Sequence, residues 1–196
     1  MPETPAPSRA RGGSQPVILL DRDGVINHDS PDYIRSPEEW IALPGALEGM
    51  ASLHRAGWRL AIATNQSGIG RGLYSRATLE RIHAKLRGEL DAAGGCVESI
   101  QYCPHTPDDS CTCRKPAPGM LHALGRALEI ELSGVPFVGD SLRDLQAARA
   151  AGCTPVLVRT GYGERTLGQL GAQDDDVLVV DSLAAYAAQL LAGGQS

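Results

Sequence analysis

Short apolar runs alternate with amphipathic stretches along this chain. Val17–Leu20 (Val-Ile-Leu-Leu) contains no polar residue, follows Pro16 and precedes Gly24, and is too short for a helix; it reads as a strand buried on both faces. Leu47, Met50, Ala51 and Leu53 recur at helical spacing within Gly45–Ala56, and Gly57 supplies a stop. Trp58–Thr64 reads as the second strand. Ser75 offers an N-cap to a helix marked by Leu79, Ile82, Leu86 and Leu90, which ends before Gly94-Gly95. Val97–Tyr102 reads as the third strand. Pro118 opens a helix through Leu121, Leu124 and Leu128. Val135–Val138, Pro155–Val158 and Val177–Val180 read as further strands, with Leu142–Ala151 and Leu183–Leu191 as helices. Only Asn27–Leu43, polar and aromatic with two prolines, fits no regular element.

Strands that alternate with helices through short loops predict an α/β fold: a Rossmann-like three-layer sandwich with a central parallel sheet. Right-handed crossovers place the carboxyl ends of the strands along one edge. With no internal repeat or linker, residues 16–196 read as a single domain. Residues 1–15, rich in Pro, Ser, Gly and Arg, read as a disordered leader without an apolar signal-peptide centre.

Composition narrows the function classes. A net charge of −5, with no basic run, argues against nucleic acid as a partner. A small anionic substrate remains open, because a few local cations and a metal suffice for one phosphate. No apolar stretch reaches the roughly 18–20 residues that cross a bilayer, so a cytoplasmic protein without a membrane partner is expected. No heptad or exposed apolar helix is evident, and a monomer is the default.

The first strand ends in Asp21-Arg22-Asp23-Gly24. Ligands collect at the carboxyl ends of parallel strands, and two carboxylates so close call for a shared cation or proton. Solvated acids at a strand end are the plain alternative. Cys103-Pro104-His105 and Cys111-Thr112-Cys113 supply three thiols and an imidazole within eleven residues. That is the complement of a tetrahedral structural Zn²⁺ site with no position left for water, and the alternative is surface thiols beside a solvated histidine. Such an ion would pin the loop just before Arg114 and Lys115 so that both cations point toward the strand ends. Cys96 and Cys153, which flank strands, read as small buried residues. His54, His83 and His122 read as surface or boundary positions, and His28 either contacts a ligand from its loop or is solvated there.

Asp21-Arg22-Asp23-Gly24-Val25, Thr64-Asn65-Gln66-Ser67, Arg114-Lys115-Pro116 and Gly139-Asp140-Ser141-Leu142-Arg143-Asp144 resemble the four ordered motifs of the haloacid dehalogenase-like phosphatases. The resemblance implies phosphate-ester hydrolysis with Asp21 as nucleophile and Asp23 as the acid and base of the leaving-group and water steps. It implies Mg²⁺ held by the Asp21 carboxylate, the Asp23 carbonyl and the Asp140 carboxylate. Thr64, Asn65, Gln66 and Ser67 would hold phosphoryl oxygens and Lys115 would balance their charge, with Asp144 ordering Lys115 or a metal-bound water. The gaps after the first two strands are too short for a cap domain, so an open pocket is expected.

With its zinc loop, the chain is similar to the capless branch that acts on heptose bisphosphate or on histidinol phosphate. That likeness implies a small phosphorylated sugar as substrate, its 7-phosphate as the leaving group, and a supply of activated heptose for lipopolysaccharide. Hydrolysis of histidinol phosphate is the runner-up. Arg114 and Asp29, with the neighbouring Ser30–Tyr33, fall on substrate-contacting positions. Ser141 stands where some relatives carry lysine, and a contact to phosphate or ligand is expected from it. A phospho-accepting signalling domain would use Asp, Lys and Mg²⁺ in a similar way but would lack an acid placed as Asp23 is.

Overall fold

The computed structural model describes residues 15–193; the expected leader lies, but for Gln15, outside the described residues. Six parallel strands form one sheet: β1 (Val17–Leu20), β2 (Arg59–Asn65), β3 (Ser99–Cys103), β4 (Pro136–Gly139), β5 (Thr154–Val158) and β6 (Leu178–Val180), in spatial order β3-β2-β1-β4-β5-β6. The helices are α1 (Ala46–Arg55), α2 (Arg76–Ala92), α3 (Gly119–Leu128), α4 (Leu142–Ala151), α5 (Gly163–Leu167) and α6 (Leu183–Gly193). The apolar pattern therefore locates every strand to within two residues at either end. It misses α5, a single short turn of helix inside a polar segment that carries no periodic stripe.

The two-residue period of β1 distributes the core. Ile18 and Leu20 join Leu60, Ile62 and Val138 beneath α1, α2 and α6 through Met50, Leu86 and Leu183. Val17 and Leu19 point the other way, to Ala61, Ala63 and Phe137 beneath α3 and α4 through Leu124 and Ala148. Both faces are thus covered, which is why β1 needs apolar residues at consecutive positions. His83, expected at the surface, is buried on α2 because its ring packs edge-on to Tyr102 at 6.1 Å and faces Arg22. Cys96, expected inside, is exposed, lying in the turn before β3 rather than in the strand; Cys153 is buried as expected. No described helix is long and apolar enough to cross a membrane.

The strand order reverses between β1 and β4. Chain connections leave in opposite directions on either side of that pair, so a crevice opens above their carboxyl ends. The irregular segment between β1 and α1 folds back beside it. Trp40 is wholly buried, and Lys85 Nζ donates to the carbonyls of Pro37 and Trp40 at 2.9 Å each, which ties the segment to α2. Among the described residues, neither this segment nor the turn after β2 contains a helix or named strand, so no cap domain lies over the crevice.

Candidate active site

Asp21 is the first residue after β1, and its N–H donates to Val138 O of β4 at 2.8 Å. The ladder between the two central strands is thereby carried one residue further, and the side chain is fixed at the switch point. Asp140 stands one residue past β4, and Lys115 arrives from the loop after β3. Lys115 Nζ lies 2.8 Å from Asp21 Oδ1 and 2.7 Å from Asp144 Oδ1, and it donates to Ala63 O at 2.9 Å. Asp21, Lys115, Asp140 and Asp144 are all buried. Asn65 fixes the lysine's backbone reciprocally: its Oδ1 accepts from Lys115 N and its Nδ2 donates to Lys115 O, each at 3.1 Å.

Three buried carboxylates face one buried ammonium. Desolvation by burial, aided by the other acids, raises Asp21 to about 7 and Asp140 to about 8. Asp21, Asp140 and Asp144 each present an oxygen within 4.8 Å of the others, and the residual negative charge suits a hard divalent cation with oxygen ligands. Asp140 is held for that task by two residues that the sequence reading passed over, and a third steadies Gly24 beside it. Tyr162 N donates to its Oδ2 at 2.8 Å and Thr166 Oγ1 to its carbonyl at 2.8 Å, while Thr160 Oγ1 reaches Gly24 O at 2.6 Å. The glycine-flanked tyrosine, Gly161-Tyr162-Gly163, was the available signal. Gly24 and Gly161 both have positive φ, and a Cβ on either would overlap the Asp140 carboxylate.

Asp23 sits at the edge of the same cleft. Its carboxylate accepts from Arg22 Nε at 3.0 Å, Arg22 Nη2 at 3.0 Å, Asn27 Nδ2 at 2.9 Å and Gln66 Nε2 at 2.9 Å. Gln66 was expected on the substrate, but its groups are committed elsewhere. Its Nε2 also donates to Thr64 Oγ1 at 2.9 Å, its Oε1 accepts from Tyr74 Oη at 2.7 Å, and its N–H donates to Cys103 O at 2.7 Å. The hydroxyl of Ser141 is likewise turned to Asp144 Oδ2, which also accepts from Ser141 N at 3.0 Å, so this residue caps α4.

These groups line an open cleft of about 340 Å³ together with Asp29, Thr64, Asn65, Ser67 and Arg114. Arg71 and Arg143 are two further cations at its wall; Arg71 stands alone on a polar stretch, and Arg143 lies inside the fourth motif but was given no role there. Arg114 is half-buried and donates through Nη1 to His105 O at 3.1 Å. Desolvation and the facing Arg143 guanidinium lower its pKa. Asp29 is exposed at the mouth, its Oδ1 accepting from Ser30 N at 2.7 Å. His28 is exposed beside it, lining an adjoining hollow with Asp29, Leu43, Gly161 and Tyr162.

Cys103, His105, Cys111 and Cys113 converge so that their ligand atoms lie within 4.8 Å of one another. The sulfur–sulfur separations are 3.2 to 3.6 Å, and His105 Nδ1 lies 3.5 Å from Cys103 Sγ and 3.3 Å from Cys113 Sγ. A tetrahedron with metal–sulfur bonds of about 2.3 Å has edges of roughly 3.7 Å, so the donors fit one zinc ion. The next two residues are Arg114 and Lys115, and the carbonyl that holds Arg114 belongs to His105, one of the four.

A family model described as HAD-hydrolase-like matches residues 112–186. Curated relatives called D-glycero-beta-D-manno-heptose-1,7-bisphosphate 7-phosphatase include those of Bordetella bronchiseptica, 54% identical over 89% of this chain and 97% of that one. The one from Pseudomonas aeruginosa is 54% identical over 91% of this chain and 99% of its own length. Among solved structures, the D,D-heptose 1,7-bisphosphate phosphatase of B. bronchiseptica, complexed with magnesium and phosphate, is similar at a TM-score of 0.87 and 54% identity, covering 90% of this chain and 98% of that one. The corresponding phosphatase from Burkholderia thailandensis is 41% identical with a TM-score of 0.71, covering 90% of this chain and 99% of that one.

Proposed function

Because the chain belongs to the haloacid dehalogenase-like phosphatases, within the heptose-1,7-bisphosphate 7-phosphatase group, we propose that it hydrolyses the 7-phosphate of D-glycero-beta-D-manno-heptose 1,7-bisphosphate. The observation that carries this reading is the meeting of Asp21, Asp140 and Lys115 at the switch point of the sheet, with Asp23 two residues from Asp21.

Phosphate monoesters are among the slowest esters to hydrolyse in water, so the barrier must be lowered at three places: nucleophile, phosphoryl oxygens and leaving group. Asp21 supplies the first. Its Oδ attacks phosphorus as the bond to the sugar O7 breaks, giving an aspartyl phosphate. Lys115, 2.8 Å from Asp21, neutralises charge as the two anions close on each other. Thr64, Asn65 and Ser67 line the same cleft and suit the phosphoryl oxygens. Asp23 gives its proton to O7. As a carboxylate it then takes a proton from the water that attacks the phosphorus, which restores Asp21 and releases inorganic phosphate.

Mg²⁺ is the cation that suits Asp21, Asp140 and the Asp23 carbonyl; it supplies charge to draw nucleophile and phosphate together. Asp144 orders Lys115 through the 2.7 Å ion pair. Cys103, His105, Cys111 and Cys113 would hold zinc in a structural role: four protein ligands would leave it no open position, and it would fix the backbone that carries Arg114 and Lys115.

Arg114, Arg71 and Arg143 give the cleft wall a cationic character. That suits a substrate with a second phosphate and disfavours histidinol phosphate, whose far end carries a cationic amine and an imidazole. Asp29 at the mouth is suited to accept from sugar hydroxyls. Measuring kcat/KM for heptose bisphosphate and histidinol phosphate side by side tests the choice. A preference of at least a hundredfold for the bisphosphate is expected, and a preference for histidinol phosphate contradicts it.

A further inference from the structure

Besides its bond from Asn27 Nδ2 at 2.9 Å, the Asp23 carboxylate is gripped from two sides. On one side stands Arg22, whose guanidinium reaches both carboxylate oxygens, Nε to Oδ1 at 3.0 Å and Nη2 to Oδ2 at 3.0 Å. Arg22 is wholly buried, and a guanidinium taken out of water needs a paired anion and partners for its remaining N–H groups. Its Nη1 lies 3.4 Å from His83 Nε2. Arginine has only donors, so Nε2 must be the acceptor and the imidazole must be neutral. Burial, with the Arg22 charge, pushes His83 down to about 3, in keeping with that state.

On the other side stands Gln66, donating to Asp23 Oδ2 at 2.9 Å. An amide turned end over end would set its oxygen against the carboxylate. Tyr74 Oη, 2.7 Å from Gln66 Oε1, holds the correct end toward Asp23, and Thr64 Oγ1 accepts the second Nε2 hydrogen. Both backing residues are buried and lie outside the four sequence motifs: His83 on α2, and Tyr74 just before it.

We propose that Arg22 backed by His83, and Gln66 backed by Tyr74, are positioning residues that fix the Asp23 carboxyl for proton delivery to the leaving oxygen. The inference rests on the phosphatase reading given above. Proton transfer needs the carboxyl within hydrogen-bond reach of that oxygen, and an ångström of misplacement costs on the order of a hundredfold. Asp23 is only half-buried, in the turn after β1, and a carboxylate there without partners has more than one rotamer open to it. The paired donors take that freedom away.

The test compares two leaving groups. Departure of a sugar alkoxide from heptose 1,7-bisphosphate needs a proton; departure of p-nitrophenolate from p-nitrophenyl phosphate scarcely does. Because kcat/KM covers only the steps through aspartyl-phosphate formation, the ratio of its values for the two esters isolates acid catalysis. In Tyr74→Phe and Arg22→Lys the sugar-to-aryl ratio is expected to fall about tenfold. His83→Leu is expected to lower it similarly, and His83→Gln, which keeps an acceptor near Arg22, to restore most of it. Equal losses on both esters, or no loss on either, in a variant with a native circular dichroism spectrum overturn the proposal. Should Arg22→Lys fail to fold, Tyr74→Phe, which removes a single oxygen, decides the matter. A wild-type protein that cleaves only the aryl ester contradicts the heptose reading instead, and the same ratio is then taken with glycerol 3-phosphate as the alkyl ester.

Discussion

Lys115 Nζ bridges Asp21 and Asp144, at 2.8 and 2.7 Å, with all three side chains buried. One cation is thus shared between the residue proposed as nucleophile and an acid on the opposite side of the switch point. Burial makes the arrangement unforgiving: removal of the ammonium leaves two carboxylates facing each other without water. Lys115→Met is expected to lower kcat at least a hundredfold and to destabilise the fold by about 3–5 kcal/mol above neutral pH. Steady-state kinetics together with urea unfolding check both parts.

The raised carboxyls predict a pH dependence with a definite sign. Asp21, at about 7, and Asp140, at about 8, bind protons in the folded chain that an unfolded aspartate near 3.8 has already lost. Between about pH 4 and pH 8 the folded state therefore holds more protons, and stability falls as pH rises through that window. A cation at the site competes with those protons, so Mg²⁺ should raise Tm by several degrees more at pH 8 than at pH 5.5. Thermal unfolding at both values, with and without millimolar Mg²⁺, is the measurement; an equal shift at both contradicts the assignment.

The architecture was readable because it depends on patterns of apolar residues. β1 had to be uniformly apolar to be covered on both faces, and Leu79, Ile82, Leu86 and Leu90 had to share a stripe to form α2. The residues proposed to carry chemistry were readable from two signals: the resemblance of four ordered motifs at strand ends, which holds Asp21, Asp23, Lys115 and Asp140, and the metal-ligand spacing from Cys103 to Cys113. What the sequence hid were relationships made only by folding. Nothing local marks Thr166 as a donor to the Asp140 carbonyl, or His83, sixty-one positions away, as the partner of Arg22. Gln66 looked like a ligand for phosphate because it sits inside a phosphate-binding motif, yet its neighbours claim every polar group it has.

Zinc is expected at about one equivalent per chain by elemental analysis of protein purified without chelator. Cys111→Ser combined with Cys113→Ser should abolish binding and cost at least tenfold in kcat/KM, since the loop then no longer fixes Arg114 and Lys115. Full activity in zinc-free protein argues against the structural role.

Arg114 is half-buried and held by His105 O. A charge-assisted contact to the distal end of the substrate is worth about 1.5–3 kcal/mol. Arg114→Ala is accordingly expected to lower kcat/KM for the bisphosphate by roughly ten- to a hundredfold, and to do so far less for a simple monophosphate such as glycerol 3-phosphate. Equal losses on both substrates place the side chain at the reacting phosphate instead.

The central claim concerns which phosphate leaves. Phosphorus NMR of heptose 1,7-bisphosphate during turnover with Mg²⁺ follows the two signals separately. The account predicts that the primary 7-phosphate signal converts to inorganic phosphate while the anomeric one persists as heptose 1-phosphate. Loss of the anomeric signal first, or no conversion of either, contradicts it.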